Sequence, residues 1–178
     1  MVVVVASVLV VVSSCGKDST APTPAVLRLD QIENALDAVE QKTGGGLDFF
    51  EINATSAVVN VFVATDLDGT PNADGLPDAV VRYVFSEKDG LEVAPDPMAA
   101  NGATFTRAAL DYEPTSILNK ALSELPESKP QMFVLTAAGT AEEPTGVVQY
   151  RLIVQSTQGG QMSIVLTNTG EIVGTDAE

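Results

Sequence analysis

The chain has 178 residues, with 9 Lys and Arg against 24 Asp and Glu and no His, so its formal charge is −15. These numbers disfavour nucleic acid as a partner, because phosphate contacts need clustered cations, and the nine cations are scattered from Lys17 to Arg151. The absence of His removes the commonest general base and transition-metal ligand, and a single cysteine, Cys15, allows neither an internal disulfide nor a thiolate zinc cluster.

Residues 2–12 form an almost purely aliphatic run that stops at Ser13-Ser14, directly before Cys15. A membrane-spanning helix needs about 20 such residues, so this run is too short to span and has the length of a signal-peptide core. Residues 16–25 are rich in Gly, Ser, Thr and Pro and read as a tether unable to build a core.

The four residues Val12-Ser13-Ser14-Cys15 resemble the lipobox of bacterial lipoproteins: an aliphatic residue, two small residues and a cysteine. The resemblance implies that residues 1–14 are a signal peptide. It also implies a diacylglyceryl group on the Cys15 sulfur, acylation of the new amino terminus, and a location on the outer side of a bacterial plasma membrane. Two or three acyl chains hold firmly where one does not, at about 0.8 kcal/mol per buried methylene. No Lys or Arg precedes Lys17, so the basic leading segment of such signals is expected to begin upstream, at an earlier start codon.

Beyond the lipidated linker (15–26), the spacing predicts a helix in which Asp30 and Glu33 form a capping box. Ile32, Ala35, Leu36 and Val39 share its apolar face, and Gly44-Gly45-Gly46 ends it. Strands are predicted at 48–52, 58–65 and 79–85, with a turn at Lys88-Asp89-Gly90 and a short run 91–93. The order then recurs. Thr115 or Ser116 is expected to cap a second helix carrying Ile117, Leu118, Ala121, Leu122 and Leu125, which Pro126 stops. Strands follow at 131–136, 147–155 and 161–166, with a turn at Asn168-Thr169-Gly170 and a short run 171–173.

The predicted fold is therefore α+β: two helix–strand–strand–strand units, 27–95 and 115–178, with antiparallel sheet and helices packed on one face. Residues 96–114 connect them and are expected to pack partly through Phe105, Leu110 and Tyr112. Val148, Tyr150, Leu152 and Val154 alternate with Gln149, Arg151 and Gln155, which predicts one buried and one mostly wet face; Ile153 breaks the polar set. This repeated unit, with a Gly at each strand–turn–strand close, resembles PepSY-like modules and a group of uncharacterised actinobacterial lipoproteins. The resemblance implies binding or inhibition in the cell envelope, with no functional residues to carry over.

The two units differ in length between matching positions. Val59 to Gly90 spans 90 − 59 = 31 positions, and Val148 to Gly170 spans 170 − 148 = 22. The excess falls in residues 66–78, which hold Asp66, Asp68, Asn72, Asp74 and Asp78. Calcium takes six to eight oxygen ligands, often from Asp and Asn around a Gly turn. The stretch resembles the Asp-rich loops of calcium-binding repeats, matched by Asn72, Asp74 and Asp78. It departs from the EF-hand, whose twelfth-position Glu would fall at Val81. The first reading is an ordinary acidic hairpin built from turn-forming residues, with no cofactor; calcium is the alternative.

No catalytic constellation stands out. Glu142-Glu143 and the Glu124/Glu127 pair fall in loop-like contexts where a raised carboxyl pKa is not expected. Asn53-Ala54-Thr55 has the form of a glycosylation acceptor and is expected in a turn. The sequence points first to a lipid-anchored, non-enzymatic binding head whose partners are the membrane and an envelope protein. The alternatives are a calcium-binding envelope protein and a hydrolase of unrecognised type.

Overall fold

The computed structural model describes residues 26–70 and 72–177. Cys15, the apolar run before it and residues 16–25 after it lie outside the described residues.

A 3-10 turn, Leu29–Gln31, leads into α1, Ile32–Thr43. Ile32, Ala35, Leu36 and Val39 are all buried, as the 3.6-residue period requires. Glu33 lies in the first turn and Lys42 in the last, each with the sign that favours the helix dipole. The predicted capping box is not formed. The residue before α1 is Gln31, which makes no side-chain cap, and the Asp30 carboxylate accepts instead from the Arg28 and Gln31 side chains. The 3-10 turn takes in Asp30 itself, so the helix starts two residues beyond it.

Four paired strands follow: β1 (Asp48–Ala54), β2 (Val59–Thr65), β3 (Ala79–Ser86) and β4 (Gly90–Val93). The connector supplies two short strands, β5 (Met98–Ala99) and β6 (Phe105–Thr106), and a 3-10 turn at Arg107–Ala109. Phe105 packs on Phe49 with ring centroids 5.9 Å apart, while Leu110 and Tyr112 reach the main core. Then comes α2, Pro114–Ser123, with Ile117, Leu118 and Ala121 buried. Its cap is neither Thr115 nor Ser116 but Glu113, whose carboxylate accepts from both of their backbone N–H groups. Pro114 at the first helical position lacks an N–H that would have gone unpaired anyway. α2 ends at Ser123, ahead of Leu125. The last four strands are β7 (Ser128–Gly139), β8 (Pro144–Ser156), β9 (Gln161–Leu166) and β10 (Ile172–Ala177).

All ten strands join one antiparallel sheet, ordered β10-β9-β8-β7-β1-β2-β3-β4, with β5 on β3 and β6 on β1. The join at the middle is the pairing of β1 with β7, where Ile52 faces Leu135 and Asn53 faces Val134. One apolar cluster runs beneath the sheet. It holds the buried faces of both helices together with Ile52, Val61, Phe133, Leu135, Leu152 and Ile164. Each of the two predicted three-strand sets gains a fourth paired strand, because the short runs after Gly90 and Gly170 lie in the ladder.

Candidate functional site

The side chains that alternate with the core set form the second face of the sheet. Cross-strand registers place Glu51, Thr136 and Gln149 in one row across β1, β7 and β8. The next row holds Asn60, Asn53, Val134, Arg151 and Val165. Ser163 faces Ile153 beside it. This face is not simply wet, as the alternation predicts. Asn53, Ser163, Val80, Val134 and Ile153 are all buried although they lie outside the main core cluster. Ile153, which breaks the polar pattern of β8, belongs to the apolar floor of this face.

That floor carries a depression of about 450 Å³ lined by Glu51, Thr136, Gln149, Arg151, Ile153 and Ser163 among others. Its polar groups are held in order. The Asn60 amide donates to the Asn53 carbonyl oxygen at 2.8 Å, and the Asn53 amide donates to Glu51 Oε1. Arg151 Nε donates to Gln149 Oε1 at 3.0 Å. Ser163 is 3% exposed, and its Oγ has no hydrogen-bond partner; a buried hydroxyl in that condition carries a desolvation cost that nothing offsets. Of the four arginines, Arg28 and Arg107 are ion-paired. Arg82 and Arg151 both lie on the second face, and neither has an ion-pair partner among the described residues.

The structure brings the Asp-rich residues into one hairpin between β2 and β3, where their oxygens serve the backbone. Asp68 Oδ1 accepts from Thr70 N–H at 2.9 Å, Asp74 Oδ1 from Leu76 N–H at 3.0 Å, and Asp78 Oδ1 from Leu67 N–H at 2.8 Å. The Asn72 side-chain amide bridges Asp66 Oδ1 and the Leu76 carbonyl. These are the local turns that Asp and Asn form with their own backbone. Among the described residues, no three acidic, Cys or His side chains converge in a way that could hold a metal ion. Asp74 and Asp78 do line a shallow depression of about 420 Å³ together with Asn101 and Glu142, the last from the β7–β8 turn.

The predicted glycosylation acceptor is placed otherwise than expected. Asn53 is not in a turn; it is buried in β1, with its side chain bonded on both sides, so it is no accessible acceptor. Tyr83 and Tyr150 are core residues, and Tyr112, Phe133 and Tyr150 stack at 5.6 to 6.4 Å. The Arg151–Ser163 depression escaped sequence reading because it depends on register. Arg151 and Ser163 come together only once β8 and β9 pair with Ile153 opposite Ser163. The one local signal was Ile153 in a polar position.

The chain matches no known family model, no curated protein and no solved structure.

Proposed function

We propose that this is a lipid-anchored protein of the bacterial cell envelope, tethered through Cys15, whose folded head is a non-enzymatic binding module. The single observation that carries the binding role is the second sheet face. In a chain of charge −15, the two arginines without ion-pair partners among the described residues, Arg82 and Arg151, both stand on that face. Unpaired guanidinium groups are suited to bidentate recognition of an anionic group. On this reading the head is two helix-plus-sheet units joined at β1 and β7. In support, α1 precedes β1–β4 as α2 precedes β7–β10, and Gly90 and Gly170 share a similar backbone conformation.

Two measurements test the proposal. Intact mass of the membrane-extracted protein should show a chain beginning at acylated Cys15; an unmodified thiol with residues 1–14 retained would overturn the anchor. A photo-reactive residue at Phe62, on the second face, should give adducts in intact cells, while one at Asn119 on α2 should not. Equal labelling from both would remove the binding face.

A calcium role for residues 66–78 is a second proposal, supported by Glu142 lining the same depression as Asp74 and Asp78.

A further inference from the structure

We infer that the depression around Arg151 and Ser163 takes a small ligand carrying one carboxylate and one ammonium group: a free amino acid or a short peptide. This inference rests on the second face being the binding face and names its ligand class.

Arg151 supplies the carboxylate end. Its Nε is committed to Gln149 Oε1, which fixes the plane of the guanidinium and leaves Nη1 and Nη2 without partners among the described residues. A planar donor pair of this kind matches a carboxylate. Ser163 borders the same depression beyond Arg151, opposite Ile153, and its Oγ is closed off from solvent, so it shapes the edge of the depression and is not one of its binding groups.

Glu51 decides against a multiply charged anion. It lines the depression opposite Arg151, yet no ion pair joins the two among the described residues. The register puts them two strands apart and two residues out of row, so their Cα atoms are about 12 Å apart from strand spacing and rise. The Asn60–Asn53 relay occupies Glu51 Oε1, leaving Oε2 for a cation. A phosphate dianion between these two groups would gain from Arg151 and lose to Glu51. A zwitterion satisfies both, with its carboxylate on Arg151 and its ammonium on Glu51. Val134 lies between them on the floor, and a depression of about 450 Å³ accommodates one or two residues.

The test is calorimetric titration of the detergent-extracted full chain with L-alanine, L-alanyl-L-alanine, N-acetyl-L-alanine, L-alanine amide and inorganic phosphate. Saturable binding of the amino acid or the dipeptide is expected, and whichever binds tighter gives the ligand length. The acetylated and amidated compounds, each lacking one charge, should bind about tenfold more weakly. Arg151→Gln should abolish binding, and Glu51→Gln should erase the preference for L-alanine over its N-acetyl derivative. Ser163→Ala should leave binding unchanged and the melting temperature equal or higher, since it removes an unpartnered hydroxyl that no ligand reaches. Tighter binding of phosphate than of either zwitterion would overturn the inference, as would binding unchanged in Arg151→Gln. Silence in all five titrations alongside second-face adducts from Phe62 would overturn the ligand class and leave the binding face standing. Silence in both would overturn both.

Discussion

Gly170 lies directly against the backbone of Ile117. A Cβ placed at Gly170 would sit 2.6 Å from the Ile117 carbonyl oxygen and 2.9 Å from its Cα. Here the β9–β10 turn is seated on α2, and Lys120 one turn further along bonds Glu171 at 2.8 Å. Gly90, the first residue of β4, has a similar φ of +75° against +88°, but nothing lies within 4 Å of its own would-be Cβ.

Two glycines of similar backbone conformation should therefore respond differently to one methyl group. Gly90→Ala bears only the left-handed backbone cost, about 1 kcal/mol. Gly170→Ala adds an overlap with backbone atoms of α2 that cannot rotate away, and should cost about 3 kcal/mol or more. Urea denaturation of the two variants checks this; equal losses would mean that the α2 contact does not restrain the turn.

Arg107 ties the connector to α1 by meeting three carboxylates on one helical stripe. Its Nη1 lies 2.8 Å from Asp37 and 2.9 Å from Glu40, and its Nη2 contacts Glu33. Hydrogen bonding to Glu33 leads the causes that raise the guanidinium pKa further. Arg107→Ala leaves three like charges along one face of α1 with no counter-ion, so it should cost about 1–2 kcal/mol. The loss should shrink in 1 M salt, where charges are screened beyond about 3 Å. A salt-independent loss would assign the effect to packing of the arginine stem instead.

How much of this was readable beforehand depended on the range of the interaction. The helix faces were readable, since Ile32, Ala35, Leu36 and Val39 are positioned by a period internal to α1, and the same holds for Ile117, Leu118 and Ala121. So were Val148, Tyr150, Leu152 and Val154, set by the pleat of β8 alone. The caps were not. Asp30 and Glu33 have the right spacing, but Arg28 and Gln31 compete for the Asp30 carboxylate. Glu113 won α2 because Pro114 directly after it fixes the helix start. The second face was least legible, because Glu51, Arg151 and Ser163 lie on three strands and only pairing registers relate them.

The Asp-rich hairpin can be split into its two candidate uses by substituting amide for carboxylate. An Asn side-chain oxygen still accepts from Leu76 N–H, so Asp74→Asn should keep the turn and the melting temperature. Asp74→Ala loses the acceptor that Leu76 N–H uses at 3.0 Å and should cost about 1 kcal/mol. Melts with and without millimolar calcium then read the other use. A calcium-dependent rise in the wild type that Asp74→Asn abolishes would assign the hairpin as an ion site, and a rise unaffected by that change would remove Asp74 from the ligand set.

Two tyrosines that touch each other should give stability changes of opposite sign. The Tyr150 hydroxyl donates to the Asp111 carbonyl at 3.2 Å and accepts from the Asp111 N–H at 3.1 Å. The Tyr112 hydroxyl, in the same aromatic stack, is buried with no partner. Tyr150→Phe should cost about 1–2 kcal/mol, because it strands two backbone groups, whereas Tyr112→Phe should be neutral or stabilising by about 1 kcal/mol. Chemical denaturation of both variants checks the sign.

The same burial sets the alkaline limit of the fold. All three tyrosines, Tyr83, Tyr112 and Tyr150, have phenols pushed above the ordinary value, each chiefly by desolvation, and Tyr112 also by the charge on Glu33. A raised phenol pKa means that the folded chain holds the proton more tightly than the unfolded chain. The resulting stabilisation is complete below about pH 10, the unfolded value, and is lost as pH climbs through the folded values. Tyrosinate absorbance near 295 nm should therefore stay low past pH 10 and then rise together with loss of the β-sheet circular dichroism signal. Tyr112→Phe removes the most strongly buried phenol and should move that joint transition to higher pH. Tyrosinate forming stepwise near pH 10 with the sheet signal intact would show that these hydroxyls reach water in the native state.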